Sequence, residues 1–224
     1  MLTHAERMEE EAIALERQLT GHNGALEGVL RVSSSDWFAT RVLAPNLATF
    51  ASENPMITIE LIADFRLLDL QRREADVVFR FVPFSGSDVV QRRLAHIRYG
   101  LYAAESYIDR YGDPLRSEDG AGHFLVTMDS AFDQVVDVAW LRARWPQARL
   151  AMRSNSRDIQ ADSCLRGVGL AVLPRIIGDD LPLRRLAMDA PGRDIWLGYH
   201  EDLRRLRRLR SLVEHLTAQI AGDL

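Results

Sequence analysis

Residues 29–61, VLRVSSSDWFATRVLAPNLATFASENPMITIEL, carry the pattern that decides the fold class. The apolar run at 29–32 predicts a short strand, and the polar turn Ser33-Ser34-Ser35-Asp36 follows it. The next segment predicts a helix whose apolar face is formed by Val42, Leu43, Leu47 and Phe50. Pro45 should kink or restart this helix, and Asn54-Pro55 should end it. Residues 57–61 alternate apolar and polar as a second strand, so the stretch predicts a parallel strand–helix–strand unit.

The alternation of strands and helices continues along the chain and then starts again. A short helix over 67–74 and a buried strand over 76–79 complete the first set. Further strands are predicted at 99–104, 124–128, 148–153, 170–173 and 195–199. Further helices are predicted at 106–111, 137–144 and 157–166, with a last helix at the C-terminal end. The sequence therefore predicts an α/β protein built from two successive sets of parallel strands and helices.

Composition excludes several classes of protein. The chain has 224 residues, 47% of them hydrophobic, a net charge of -4 and one cysteine, Cys164. The first twenty residues are rich in glutamate, which is not the pattern of a signal peptide, and no apolar run is long enough for a membrane span. We therefore expect a cytoplasmic protein without a membrane partner. The negative net charge also argues against direct DNA binding by these residues, because phosphate contacts need a basic face.

The N-terminal segment predicts an amphipathic helix over residues 2–20. Its apolar residues follow alternating spacings of three and four: Ala5, Met8, Ala12, Leu15 and Leu19. This is the seam of a short coiled coil, and Gly21 should end the helix. Two interpretations stay open: the helix pairs with a partner chain, or it lies on its own domain.

The arginine-rich run over 204–210 also allows two interpretations. Arginines in a cluster are typical of a nucleic-acid surface. A leucine stripe nevertheless explains the segment as an amphipathic helix. Its buried face would be Leu203, Leu206, Leu209, Val213, Leu216 and Ile220, and its solvent face Arg204, Arg205, Arg207, Arg208 and Arg210. We favour the solvated face.

The sequence contains none of the common catalytic or metal-binding motifs. A nucleophile elbow, a P-loop, a zinc helix and a paired-cysteine motif are all missing. Gly167-Val168-Gly169 resembles a dinucleotide fingerprint, but it follows a helix and precedes a strand, so we interpret it as a helix stop. Cys164 fits a small buried side chain better than a reactive thiol. We therefore expect no enzyme activity, no cofactor and no metal.

Several segments, taken in order, resemble the effector-binding region of the LysR-type transcriptional regulators. The resemblance covers essentially the whole chain, and no single motif decides it. The matching segments are residues 30–36, Leu43-Ala44-Pro45, Asn54-Pro55, residues 70–81, Ser106-Tyr107-Ile108 with Gly112-Asp113-Pro114, residues 167–174 and residues 200–205 with the final helix. The front of the chain departs from the family pattern, because it starts within the linker helix and without the winged helix-turn-helix.

The resemblance implies two Rossmann-like lobes joined by two crossover strands, as in type 2 periplasmic binding proteins, preceded by the amphipathic helix. Residues 1–22 would be the linker and dimerisation helix. Residues 23–98 and 195–224 would form lobe I, and residues 99–194 lobe II. The chain would form a homodimer, or a tetramer in a full-length parent, and would reach DNA only through the helix-turn-helix of that parent.

The implied function is to sense a small organic ligand, which we expect to be an anion, in the cleft between the lobes. Turns that end a strand and begin a helix offer unpaired N–H groups and a positive helix end. The candidate ligand-binding residues are Ser33, Ser34, Ser35, Trp37, Phe81, Pro83, Phe84, Thr127, Asn155 and Ser156. The serines could instead only cap their helices, and the phenylalanines could only pack the loop. A stand-alone solute-binding protein of the same fold is the alternative function, followed by an enzyme on this scaffold.

Overall fold

The structure is a computed structural model that describes residues 26–64, 74–220 and 222–224. The predicted N-terminal helix lies outside these residues, as does the short helix over 67–74 apart from Glu74, which lies in a bend. The described residues divide into two compact units. The first contains residues 26–64, 74–94 and 196–220, and the second contains residues 95–195 and 222–224. Within the described residues no helix is both long and apolar enough to cross a membrane.

The elements of the first half alternate strand and helix. They are β1 (Gly28–Ser34), α1 (Asp36–Phe38), a π-helical turn (Ala39–Leu43), α2 (Ala44–Glu53), β2 (Ile57–Ala63), β3 (Val77–Arg80), β4 (Val89–Ile97), β5 (Tyr99–Ala103) and α3 (Glu105–Tyr111).

The second half continues the alternation. It contains β6 (Phe124–Thr127), α4 (Val136–Arg144), β7 (Arg149–Arg153), α5 (Arg157–Leu165), β8 (Leu170–Pro174), α6 (Arg175–Gly178), β9 (Arg184–Asp189), β10 (Arg193–His200), α7 (Arg207–Ile220) and β11 (Gly222–Asp223). Within the described residues, 3-10 turns at Pro114–Arg116, Ser130–Phe132 and Glu201–Arg205 lie between these elements.

One sheet has six strands in the order β11-β4-β10-β3-β1-β2. Strand β1 is parallel to both β2 and β3, as the strand–helix–strand pattern predicts, and Val32 pairs with Leu61 on one side and Val77 on the other. Strand β10 runs antiparallel to β3. The other sheet has five strands in the order β7-β6-β8-β5-β9, with β6 parallel to β7 and β8, and β5 antiparallel to β8 and β9. The α/β fold class is confirmed.

The helix that follows β1 is regular only at its two ends. Between α1 and α2 the N–H of Ala44 donates to the carbonyl of Ala39, five residues back, which is the bond of a π-helix. The return to α geometry occurs at Ala44, next to Pro45, which lacks an N–H and lies in the first turn of α2. The restart predicted at Pro45 is therefore confirmed, and the predicted apolar face of this helix is buried.

Tyr102 fixes α6 against the five-stranded sheet. Its ring is buried against Gly100 of β5 and Gly178 of α6, where a Cβ at either glycine would overlap it. The hydroxyl donates to Asp179 Oδ1 at 2.6 Å, and Arg185 donates to the other carboxylate oxygen at 2.6 Å. Burial and the hydrogen bond to Asp179 raise the pKa of Tyr102 well above its usual range. The two glycines thus make room for a buried ring that the sequence does not single out.

Three sequence expectations are corrected by the structure. Ser33 and Ser34 belong to β1 and pair with Ile62 and Ala63, so they are not part of the turn. Arg208 is buried and packs its guanidinium beside Gly28, so it does not face water with the other arginines. The buried face of α7 also includes Leu212. Strands β4, β9 and β11 were not predicted.

His123 makes the folded state sensitive to acid. It is buried, and its Nδ1 lies 3.1 Å from the hydroxyl of Tyr107, which also accepts a hydrogen bond from the N–H of Phe124. The hydroxyl therefore donates to a neutral Nδ1. Burial lowers the pKa of His123, and this effect outweighs the negative charge of Asp113, which would raise it.

We expect the free energy of unfolding to fall as the pH drops below about 6.5, where the unfolded histidine gains a proton that the folded one resists. His123→Phe removes this titration, so the variant should lose less stability than the native protein between pH 7 and pH 5. Urea unfolding of both proteins at the two pH values measures the difference. Equal losses would show that His123 is not the group that resists protonation.

Candidate functional site

The carboxyl end of β1 contains buried hydroxyl groups. Ser33 and Ser34 are each 2% exposed. The Oγ atoms of Ser34 and Ser35 are buried, and neither has a hydrogen-bond partner among the described residues. A buried donor without a partner costs about 1–3 kcal/mol, so such groups need an explanation. Two adjacent ones at the end of a parallel strand are typical of a ligand site.

Ser35 occupies the N-cap position of the helix but does not cap it. Its backbone is extended, and its side chain makes no capping hydrogen bond within the described part of the chain. Asp36 instead accepts from the N–H of Trp37 at 2.6 Å. The capping interpretation therefore does not account for the Ser35 hydroxyl, which lies beside the positive end of the helical run that begins at Asp36.

Aromatic side chains lie directly beyond this strand end. The ring of Trp37 stacks on that of Phe81 with centroids 5.5 Å apart, and Phe38 meets both rings edge-on. Trp37 is buried, whereas Phe81, which follows β3, is half-buried. The two predicted residues Trp37 and Phe81 are thus brought together at the end of parallel strands.

Phe84 and Pro83 do not join this cluster. Phe84 packs with Ala75 and Val78, and its backbone N–H and carbonyl both bond the side chain of Gln91. A Cβ at Gly198 would lie 2.5 Å from its ring, so β10 needs a glycine at this position to accommodate Phe84. Pro83 is exposed. For these two residues the packing interpretation fits the structure better than a role as ligand wall.

The second unit offers an equivalent strand end. Thr127 ends β6 and is buried, and its hydroxyl donates to the adjacent carbonyl of Met128 at 3.0 Å. The carbonyl of Thr127 accepts from the N–H of Ser154 at 3.0 Å, which brings the turn before α5 beside it. Asn155 in this turn is exposed. Ser156 is half-buried, and its side chain makes no capping bond to the described residues.

A buried ion pair lies directly behind this turn, and sequence analysis missed it. Arg157 donates to Asp137 Oδ2 at 2.5 Å, with side chains 3% and 0% exposed. Burial alone would lower the pKa of Arg157, but the charge of Asp137 and the electrostatic interaction with the Tyr99 side chain raise it. Asp137 is the second residue of α4 and Arg157 the first of α5, where charged residues usually face solvent, so no sequence signal pairs them.

The structure thus groups the predicted residues by unit. Ser33, Ser34, Ser35, Trp37 and Phe81 gather in the first unit. Thr127, Asn155 and Ser156 gather in the second. Both groups lie at carboxyl ends of parallel strands, where open α/β sheets bind ligands. Among the described residues no cluster of histidine, cysteine and carboxylates could hold a metal ion.

Comparison with known proteins agrees with this architecture. The fold is that of the type 2 periplasmic-binding-protein class, with two mixed α/β sheets. Residues 23–221 match the model of the LysR substrate binding domain. The chain therefore belongs to the LysR substrate-binding domain family, the effector-sensing part of LysR-type transcriptional regulators.

Two similar proteins, CrgA and AphB, illustrate the relationship. The HTH-type transcriptional regulator CrgA of Neisseria meningitidis serogroup C is 24% identical over 229 residues, which cover 98% of this chain and 76% of CrgA. The structure of the CrgA regulatory domain has a TM-score of 0.76 at 23% identity and covers 87% of this chain and 100% of its own. Full-length AphB of Vibrio cholerae has a TM-score of 0.76 at 20% identity, covering 96% of this chain and 76% of its own.

Proposed function

We propose that this domain senses a small organic anion, that Ser33–Ser35 and Asn155-Ser156 are its ligand-binding residues, and that binding controls a DNA-binding regulator. The observation that carries the proposal is the pair of buried hydroxyls, Ser34 Oγ and Ser35 Oγ, without partners in the described residues. A carboxylate could accept from both hydroxyls, and hydrogen bonds to charged groups contribute about 1.5–3 kcal/mol each. The positive end of the adjacent helix also favours an anion.

The neighbouring aromatic stack supports a ligand that has an apolar part. Trp37 follows Ser35 by two residues, and its ring stacks on that of Phe81, which follows the neighbouring strand β3. Small-molecule sites typically combine an apolar wall with a few placed polar groups. We therefore favour a carboxylate joined to a ring or a short hydrocarbon chain.

In this proposal DNA contact belongs to a helix-turn-helix in the parent regulator, and the protein acts in the cytoplasm. The family relationship favours this role over a stand-alone solute-binding protein. It also favours a protein without catalytic activity, since the relatives are transcriptional regulators.

A thermal-shift screen tests the proposed anion. The panel contains aliphatic and aromatic carboxylates, each paired with its neutral amide. A carboxylate at a hundred times its Kd should stabilise the native fold by about 2.7 kcal/mol, which raises Tm by roughly 5–10 °C. The matched amide should give little shift. If amides stabilise as well as their acids, or if no carboxylate stabilises, the anion assignment is wrong.

We propose further that the chain forms a homodimer in which two copies pair side by side and antiparallel. Strand β7 is an edge strand, and its apolar residues Leu150 and Met152 are 39% and 38% exposed. Ile159 on the adjacent helix α5 is 46% exposed. An edge strand with apolar side chains in water is a liability unless another surface covers it.

Light scattering at micromolar concentration should report a dimer, and removal of residues 1–20 should leave most of it intact. Leu150→Asp should give a monomer, because it places a charge in the proposed contact. Val168→Asp, at another exposed apolar position, should remain dimeric. A Leu150→Asp protein that stays dimeric would place the interface elsewhere.

A further inference from the structure

The turn Ser154–Ser156 is held from beneath by a chain of three buried side chains. Gln160 Nε2 donates to the carbonyl of Ser154 at 2.6 Å. Arg157 Nη1 donates to Gln160 Oε1 at 3.0 Å, and Arg157 Nη2 donates to Asp137 Oδ2 at 2.5 Å. Each side chain orients the next, so the Asp137 carboxylate on α4 influences the conformation of the turn through Arg157 and Gln160 on α5.

Arg157 also anchors this chain of contacts to the sheet. Its Nη1 donates to the carbonyl of Val172 in β8 at 3.0 Å, and its guanidinium lies 5.3 Å from the centre of the Tyr99 ring in β5. Arg193, at the beginning of β10, lies 3.8 Å from the other oxygen of Asp137. These contacts connect the turn to strands β8, β5 and β10 as well as to its own helix.

A stabilising role does not account well for such a pair. The desolvation of two buried charges is so costly that apolar residues of similar volume usually stabilise a fold as well or better. The ion pair instead fixes the orientation of its neighbours, because the guanidinium group holds its hydrogen-bond partners at defined angles. A fixed orientation of this kind is needed where a neighbouring group must be held in one position.

We propose that Asp137, Arg157 and Gln160 are positioning residues that hold the Ser154–Ser156 turn in one conformation. The importance of this turn rests on the proposed function, in which Asn155 and Ser156 bind the effector. The positioning itself concerns only this chain and is tested without any ligand.

Hydrogen exchange in the peptide 154–161 reports the position of the turn, since the N–H of Gln160 donates to the carbonyl of Ser156. Arg157→Met alone removes the nearer of the two arginines that face the buried Asp137 carboxylate and should lower Tm by roughly 10 °C. The double variant Asp137→Leu/Arg157→Met removes both charges, so Tm should return to within a few degrees of native. Exchange in 154–161 should nevertheless remain at least tenfold faster than native, while exchange in β6 and β8 returns to native rates.

A second variant keeps the test independent of the ion pair. Gln160→Met removes the hydrogen bond to the carbonyl of Ser154 and the one from Arg157 Nη1 but keeps the Asp137–Arg157 pair, and it should accelerate exchange in the same peptide. Asp162→Asn is the matched control, because it breaks the exposed pair with Arg166 on the same helix and should leave exchange unchanged. Native exchange in both the double variant and Gln160→Met would overturn the proposal.

The carboxylate screen separates this inference from the proposed function. If carboxylates stabilise the native protein, the double variant should bind them at least tenfold more weakly despite its restored Tm. If no carboxylate binds the native protein but exchange in 154–161 responds as expected, the positioning role stands and the assigned effector chemistry fails.

Discussion

Ser34→Ala/Ser35→Ala is expected to abolish carboxylate binding without lowering the stability of the unliganded protein. Both hydroxyls are buried and lack partners in the described residues, so their removal relieves a desolvation cost. The unliganded Tm should therefore stay the same or rise by a few degrees. The ligand should lose two hydrogen bonds to its charged group, which corresponds to a loss of affinity of roughly a hundredfold or more. Titration calorimetry with a carboxylate found in the screen measures the affinity, and thermal unfolding measures the stability.

This combination separates a binding role from a structural one. A serine that caps a helix loses about 0.5–2 kcal/mol of stability when changed to alanine. Ser163→Ala is a suitable control, because the Ser163 hydroxyl is also buried but already has a partner: it donates to the carbonyl of Ile159 at 2.7 Å. The control should bind carboxylate like the native protein. Unchanged affinity in the Ser34/Ser35 variant would place the ligand elsewhere.

Gly178→Ala is expected to lower Tm by roughly 10 °C. The new methyl group would overlap the ring of Tyr102, which is buried and held on its other side by Gly100. Overpacking typically costs about 1–3 kcal/mol, and displacement of the ring also breaks the hydrogen bond from its hydroxyl to Asp179. Thermal unfolding of the variant measures the loss.

A second substitution checks that the steric overlap is the cause. Tyr102→Leu in the Gly178→Ala background shortens the side chain and makes room for the methyl group. The loss caused by Gly178→Ala should be smaller in this background than in the native one. If the two losses are equal, overlap with the Tyr102 ring is not the cause of the destabilisation.

Parallel strands could be predicted from the sequence where a short, mainly apolar run stands between turn residues. Residues 29–32, 76–79 and 170–173 all became strands in this way. Strand β4 could not be found, since its middle is Gln91-Arg92-Arg93 and only its end is buried. The same holds for β9, which begins with two exposed arginines.

Candidate-site residues could be predicted only where their position depends on residues close to them in the sequence. The serines follow a strand in the sequence, so their place at its carboxyl end could be expected. Phe84 could not be assigned in advance, because its packing depends on Gly198, more than a hundred residues away. The pairing of Asp137 with Arg157 also depends on two helices meeting over the sheet, which residue spacing does not encode.

The π-helical turn at Ala39–Leu43 affects how this protein should be aligned with others. A ring closed five residues apart holds one residue more than an α-helical ring. A helical wheel that assumes 3.6 residues per turn from Asp36 to Glu53 therefore misplaces the residues after the π-helical turn by about 100° relative to those before it. A relative with an uninterrupted α-helix here needs a one-residue gap inside the helix, where gaps are normally penalised most. Equivalents of Ser34, Ser35 and Trp37 are best assigned by anchoring the alignment on β1 rather than on α2.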